Sequence, residues 1–112
     1  GAGGQTRNVM YVEDAADILL LAATDQRLFG GIYFATHDEH MTVSEIAHNI
    51  VEVFQRGQVV TTEWPDMRRR IEIDSVRFSS ARLQELTGWK PRYSFEEGLT
   101  LTKNTMDKAA VA

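Results

Sequence analysis

The stretch Gly-Trp-Lys-Pro-Arg-Tyr-Ser-Phe-Glu-Glu-Gly-Leu, residues 88–99, decides where the last two helices of the chain end and begin. Gly88 is placed to end a short helix, and Pro91 reinforces the break because proline cannot continue a helix. Ser94 and Glu97 then have capping-box spacing, in which the hydroxyl accepts from the Glu97 backbone N–H and the carboxylate reaches back. The stretch therefore predicts a short helix, a tight break and a final helix.

The helices on either side of this break carry apolar inner positions. Ser79 is predicted to cap the short helix, which contains Leu83 and Leu86. Trp89 is predicted to pack over the last two helices. The inner side of the final helix is predicted to carry three residues: Phe95, Leu99 and Met106. Residues 107–112 are weakly specified and are expected to form a frayed tail.

A second capping box opens the helix that the sequence predicts most clearly. Thr42 and Glu45 have the required spacing. The apolar residues that follow fall on one helical face: Val43, Ile46, Ala47, Ile50, Val51 and Phe54. Gly57 is placed to end this helix.

The first helix is predicted to follow Glu13 and Asp14, two acids that favour a helix amino terminus. Residues 15–23 are strong helix formers and are apolar nearly all round. We therefore expect this helix to be covered by other structure.

Extended segments are predicted where β-branched and aromatic residues cluster. They lie at 9–12, 32–35 and 58–64, with residues 71–73 as a further short piece. Residues 1–6 are expected to be a flexible start. The order of elements indicates an α/β class, or an α+β fragment, with a small sheet of few strands and about four helices.

Composition excludes several classes of protein. The 112 residues are 43% hydrophobic and 25% charged, which is ordinary for a globular chain and not for a disordered one. The chain has no cysteine, which rules out disulfides and favours an intracellular, cytoplasmic setting. The longest apolar run, residues 18–23, is far shorter than the ~20 residues that cross a bilayer, so no membrane partner is expected.

Charge and spacing argue against nucleic-acid and metal sites. The net charge is −4, and the basic run at residues 68–70 is too short for a nucleic-acid footprint. The polar run at residues 37–40 contains two histidines and two acids. Its spacing matches no zinc signature, so a solvated loop is expected and no metal site.

Four motifs in order resemble the extended short-chain dehydrogenase/reductase family. Residues 7–14 resemble its Arg-Asp-x-x-[Tyr/His]-Val-x-Asp segment, and residues 88–99 resemble its Leu-Gly-Trp-x-Pro…Glu-Glu-Gly-Leu ending. Between them, residues 31–34 and 42–46 resemble its Gly-x-Val-Tyr-Asn strand and its Thr-x-x-Glu helix start. The resemblance extends from Gln5 to about Met106.

The resemblance implies an activity for the parent protein rather than for this chain. Members that handle nucleotide sugars include 4-epimerases, 4,6-dehydratases and uronate decarboxylases. Their amino-terminal Rossmann domain binds NAD(P) and carries a Tyr-x-x-x-Lys pair and a glycine-rich turn, neither of which occurs in this sequence. We therefore expect residues 7–106 to be a carboxy-terminal, substrate-binding portion with no catalytic residue and no cofactor site of its own.

The resemblance also implies which residues bind the nucleotide-diphosphate sugar. Arg7 matches an arginine that contacts the diphosphate, and a guanidinium can hold phosphate oxygens bidentately. Glu72 matches an acid near the ribose, although the family usually has Asp there. Arg68 or Arg69 matches a second diphosphate arginine, and the run of three arginines leaves the register open. Trp64 is open to two interpretations, as part of the cleft wall or of the core.

Two function classes remain open at this point. In one, the chain is the sugar-nucleotide side of an NAD-dependent epimerase or dehydratase, and its partner is the missing Rossmann domain. In the other, it is a stand-alone, non-catalytic module derived from that family, which binds a ligand or pairs with a second copy of itself. The apolar helix over residues 15–23 favours self-association because its outer face needs cover.

Overall fold

A computed structural model describes residues 1–111, which contain five α-helices and a two-stranded antiparallel sheet. The helices are α1 (Val12–Thr24), α2 (Val43–Phe54), α3 (Asp66–Ile71), α4 (Ala81–Thr87) and α5 (Phe95–Val111). A short 3-10 turn, Gln26–Leu28, follows α1. The strands are β1 (Thr6–Arg7) and β2 (Met41–Thr42), in which Thr6 faces Thr42 and Arg7 faces Met41. The predicted class, an α/β chain with a small sheet and several helices, is confirmed.

The strands themselves lie elsewhere than predicted. Residue 12 already begins α1, and neither 32–35 nor 58–64 pairs with another strand within the described residues. The extended piece predicted at 71–73 is also wrong at its start, because Ile71 ends helix α3. β-branched and aromatic residues favour extended backbone, but a strand forms only where a neighbour accepts its N–H and C=O groups. Along most of these segments residues 1–111 provide no such neighbour.

Both predicted capping boxes are confirmed. The Glu45 backbone N–H donates to Thr42 Oγ1 at 3.1 Å, and the Thr42 N–H donates to Glu45 Oε2 at 2.7 Å. Glu97 N donates to Ser94 Oγ at 3.1 Å, and Ser94 N donates back to Glu97 Oε1 at 3.3 Å. Each box satisfies backbone donors that a helix start leaves unpaired.

Three helix ends differ from the prediction by small shifts. Helix α2 ends at Gln55, with a φ of 52°, rather than at Gly57. The cap of α4 is Ser80 instead of Ser79, although Ser79 Oγ accepts from the Ala81 N–H at 3.2 Å. Helix α5 continues to Val111, beyond the predicted end of the folded portion, and Ala112 lies outside the described residues. The domain boundaries themselves stay predictions.

The buried core is small and lies between α1, the 3-10 turn and α4. It consists of Leu28, Leu83 and Trp89, against which five partly buried residues pack: Met10, Ile18, Leu21, Tyr33 and Leu86. Trp89 shares this cluster with Leu83 and Leu86 of α4, as predicted, but no α5 residue belongs to it, contrary to the prediction. Gly88, in a left-handed conformation at φ 71°, turns the chain directly after α4, so the indole returns to α4 and the α1 side.

A buried carboxylate joins α1 to the break before α5. Asp14 is 0% exposed. Its two oxygens accept from the backbone N–H groups of Arg92, at 2.8 Å, and Tyr93, at 3.3 Å. The Arg92 side chain turns outward and donates from Nε to Asp17 Oδ2 at 2.8 Å. A carboxylate so deeply buried is tolerated only because hydrogen bonds replace its water.

The chain is flat and exposes more surface than a compact protein of its size. Its radius of gyration is 16.9 Å, against about 13 Å for a compact domain of this length. Its accessible surface is 8318 Å², against about 6,200 Å² for a typical monomer of this mass. The outer face of α1 contributes Val12, Leu19 and Leu20, which are 69%, 71% and 65% exposed. The cover predicted for α1 therefore does not come from residues 1–111.

Within residues 1–111, no helix is both long enough and apolar enough to cross a bilayer.

Replacing Asp14 by Asn tests the buried carboxylate. The amide keeps the shape but can offer only one acceptor oxygen, so one backbone N–H is left facing an N–H group. We expect a loss of about 1–3 kcal/mol in the free energy of unfolding, measured by urea denaturation. Asp17→Asn is the matched control, because its partly exposed pairing with Arg92 is worth less than about 1 kcal/mol. Equal losses in the two variants would contradict this assignment.

The capping box at α2 predicts a pH dependence. Hydrogen bonds from the Thr42 backbone and hydroxyl lower the pKa of Glu45 below its ordinary value of 4.5. A lowered folded-state pKa stabilises the fold above the unfolded-state value, and this stabilisation is lost as pH falls through the folded-state pKa. Glu45→Gln can still form the box but does not titrate. We expect wild type to have the higher free energy of unfolding near neutral pH, and this advantage over Glu45→Gln to shrink below about pH 4.5. Denaturation curves of the two proteins, recorded in parallel at each pH, measure the difference. A difference that does not change with pH would contradict the prediction.

Candidate functional site

Arg7, at the end of β1, lies at the centre of the candidate site. Its Nη2 donates to the Glu72 carboxylate and to the Ile73 carbonyl, the latter at 2.9 Å. Its Nη1 donates to the Thr6 carbonyl at 2.7 Å and to the Asp74 carbonyl at 3.4 Å. The pairing of β1 with β2 fixes the backbone of Arg7, so the guanidinium reaches the segment after α3 from a defined position.

Arg7 and Glu72 form an ion pair on the wall of a large cavity. This cavity has a volume of about 690 Å³. Three segments form its wall: the end of β1 with the residues after it, residues 33–36, and residues 71–78. The two side chains are 31% and 30% exposed, so they are accessible to a ligand while still partly shielded from water. Two residues that the sequence places 65 positions apart are thereby brought into direct contact.

A second, smaller pocket lies on the other side of Glu72. It has a volume of about 200 Å³, and its lining includes Trp64, Arg69, Asp74 and Glu72. Arg69 comes from the last turn of α3, and Trp64 lies two residues before this helix begins. Glu72 lines both spaces, whereas Arg7 lines only the large cavity.

The structure therefore brings together four of the five residues predicted from the sequence. Arg68 is the exception, because it is exposed on α3 and lines neither space. A short helix separates neighbouring residues by roughly 100° around its axis, so Arg68 and Arg69 point in different directions. Of these two arginines, only Arg69 therefore lines a pocket together with Glu72.

The cavity wall also contains residues that the sequence interpretation missed. Phe34 and Phe78 are in contact, with ring centroids 5.1 Å apart, and both line the large cavity. Thr36 lies on the same wall, is 7% exposed, and its hydroxyl has no hydrogen-bond partner among the described residues. Thr36 and Phe78 come from segments with no local pattern of their own, whereas Phe34 belongs to the motif at residues 31–34. Their role depends on a contact across the chain, which no spacing rule reveals.

Comparison with known proteins supports the motif-based resemblance. No protein-family model matches the chain. Over 111 residues it is 30% identical to dTDP-glucose 4,6-dehydratase 1 of Escherichia coli K12, a match that covers 91% of this chain and 29% of that protein. Over 106 residues it is 27% identical to dTDP-D-glucose 4,6-dehydratase of Mus musculus. The chain thus spans less than a third of the length of these relatives.

The fold agrees with this relationship. The structure of UDP-glucose 4-epimerase from Thermotoga maritima with UDP-glucose matches with a TM-score of 0.81 at 24% identity, covering 98% of this chain and 34% of that one. The Bordetella bronchiseptica enzyme WbmF, in complex with NAD+ and UDP, matches with a TM-score of 0.75 at 23% identity, covering 99% and 32%. The chain thus matches part of dTDP-glucose 4,6-dehydratases in sequence, and it shares its fold with part of a UDP-glucose 4-epimerase.

The polar run at residues 37–40 connects the segments of the cavity wall through hydrogen bonds. Asn8 Nδ2 donates to the His37 carbonyl at 2.7 Å, and Asn8 Oδ1 accepts from the His37 N–H at 3.0 Å. His37 Nδ1 accepts from the Glu39 N–H at 3.0 Å, which places the proton of a neutral ring on Nε2, facing the Tyr93 carbonyl at 3.1 Å. His40 Nε2 accepts from the Phe78 N–H at 3.0 Å. This run therefore positions the cavity wall.

The glycines of the chain do not form the turn that a dinucleotide requires. That turn follows a strand and opens a helix, so that backbone N–H groups and the helix amino terminus face the pyrophosphate. Gly3 and Gly4 precede β1, and Gly30 and Gly31 follow the 3-10 turn and lead into extended chain. Within residues 1–111 no glycine-rich turn opens a helix after a strand, so these residues do not fit NAD(P) by themselves.

Proposed function

We propose that this chain is the carboxy-terminal, substrate-binding portion of an NAD-dependent nucleotide-sugar epimerase or dehydratase. One observation carries the proposal: Arg7 and Glu72, both predicted from the family resemblance, meet on the wall of a cavity of about 690 Å³. An arginine and an acid are the side chains that a nucleoside diphosphate requires, for its phosphates and its ribose hydroxyls respectively. Homology to dTDP-glucose 4,6-dehydratases supports the same ligand class.

Each site residue has a distinct part in this proposal. Arg7 binds the diphosphate, and Arg69 provides the second positive charge from the smaller pocket. Glu72, between the two spaces, accepts hydrogen bonds from ribose hydroxyls. Trp64 offers an aromatic face to the base beside Arg69, since stacking on an aromatic ring binds any base. Arg68 remains on the solvent side of α3.

The chemical step belongs to the remainder of the parent enzyme in this proposal. That part binds NAD(P), which supplies hydride transfer at the sugar, and carries the catalytic acid and base. The chain described here binds and orients the nucleotide sugar. The flat shape and the uncovered face of α1 support a neighbouring domain that completes the cleft.

Replacing either arginine should weaken nucleotide binding. In calorimetric titrations of the 112-residue chain with UDP or dTDP, Arg7→Ala and Arg69→Ala should each lose roughly 10- to 100-fold in affinity, because each removes a charge-assisted hydrogen bond. Arg70→Ala is the matched control, since Arg70 lies on the same helix but lines neither space; it should change affinity less than about threefold. Similar losses in all three variants would indicate only non-specific attraction of the anion. Unchanged affinity in the first two would remove both arginines from the site.

A second candidate function, self-association without catalysis, is favoured by the exposed face of α1. The surface of 8318 Å² exceeds that of a typical monomer by about 2,100 Å², and a stable interface buries about 1,600 Å² in total. If a second copy covers this face, sedimentation equilibrium should detect dimers, and Leu20→Glu should convert them to monomers. Met106→Glu, at an exposed apolar position on α5, is the control and should leave the dimer intact. Monomeric wild type at high concentration would exclude this function.

A further inference from the structure

The terminal nitrogens of Arg7 have no free N–H group for a phosphate. An arginine guanidinium has five N–H donors, four of them on the two terminal nitrogens. In the structure these four face four acceptors: the carbonyls of Thr6, Ile73 and Asp74, and the carboxylate of Glu72. A diphosphate that binds the two terminal nitrogens of Arg7 therefore has to displace a group that is already bonded to them.

Only one of these four acceptors can leave without moving the backbone. The Thr6 carbonyl belongs to β1, and the Ile73 and Asp74 carbonyls belong to the main chain that forms the cavity wall. The Glu72 carboxylate stands at the end of a side chain with three rotatable bonds. Rotation of that side chain frees an Nη2 donor of Arg7 and leaves the rest of its support in place.

The structure also provides a destination for the displaced carboxylate. Glu72 lines the smaller pocket as well as the large cavity, and Arg69 lies in that smaller pocket. A carboxylate that loses one cation needs other donors, because leaving it unpaired costs free energy. Ribose hydroxyls of a bound nucleotide, together with Arg69, are such donors. Inorganic phosphate and pyrophosphate carry no ribose, so they provide no hydroxyl donors for the displaced Glu72 carboxylate.

We propose that Glu72 is a specificity-determining residue that occupies Arg7 in place of a phosphate until a nucleoside diphosphate displaces it. The inference rests on the proposed function, because it names how the same site selects its ligand. A ligand with both a diphosphate and a ribose compensates the broken ion pair. A bare diphosphate only breaks it. The site thereby favours nucleoside diphosphates over free pyrophosphate.

Titrating the full chain with pyrophosphate and with UDP, at one ionic strength, tests this exchange. In Glu72→Gln the competing negative charge is gone, so pyrophosphate should bind about fivefold more tightly than to wild type. UDP should gain no affinity, because the neutral amide is a weaker acceptor for ribose hydroxyls. Glu72→Asp keeps the charge and should continue to discriminate against pyrophosphate. Glu52→Gln, an exposed position on α2 with the same charge change, is the control and should alter neither ligand.

The outcomes separate this inference from the proposed function. If wild type binds UDP but Glu72→Gln binds pyrophosphate no more tightly, Glu72 does not block Arg7, and the inference alone fails. If pyrophosphate tightens in Glu72→Gln but wild type does not bind UDP, the proposed nucleotide site fails and so does the selectivity assigned to Glu72; only competition between Glu72 and phosphate at Arg7 remains. Equal tightening in Glu52→Gln would reduce the effect to net charge and overturn the inference. Circular dichroism of each variant verifies that it is folded.

Discussion

The rest of the structure depends on the two hydrogen bonds that the buried carboxylate of Asp14 accepts. It lies in the first turn of α1, yet its oxygens accept from two backbone N–H groups at residues 92 and 93, nearly 80 positions later. The core around Trp89 lies immediately before that point, and α5 begins immediately after it. Because an unpaired buried carboxylate is so unfavourable, this contact permits one placement of α1 against the chain break, and hence of α5 and of α2, which packs on it.

Sequence patterns predicted those parts of the fold that depend on local chemistry. The two capping boxes are correct because a hydroxyl and a carboxylate three residues apart act within one helical turn. Gly88 ends α4 as expected, since a left-handed residue is a local requirement too. The predictions of strands at 32–35 and 58–64 were wrong because a strand depends on a contact that is not local. Strand pairing needs a partner in space, and the described residues offer none.

The residues of the candidate site also fall into those that a sequence pattern can predict and those that depend on contacts across the chain. Arg7 could be proposed because it belongs to a motif, and Glu72 because its position matches an acid of the family that the chain resembles; the structure brings the two into contact. The choice between Arg68 and Arg69 could not be made from sequence, because a one-residue shift on a helix changes the direction of the side chain. Thr36 and Phe78 lie outside the motifs, and the motif that contains Phe34 does not reveal its contact with Phe78. They line the cavity because the hydrogen bonds of Asn8, His37 and His40 bring three segments of the chain together.

The shape of the molecule and the chemistry of its site both bear on how the ligand enters the cleft and how it is held there. The ion pair of Arg7 and Glu72 is only partly shielded, at about one third exposure, and the cavity around it lies in a slab 20 Å thick. In such an open site the exchange of one anion for another costs little free energy, because water can solvate the Glu72 carboxylate while it moves. Cover from a second domain would exclude that water and strengthen every charge interaction inside. An open wall therefore suits ligand exchange, and a closed cleft suits retention of the ligand during chemistry.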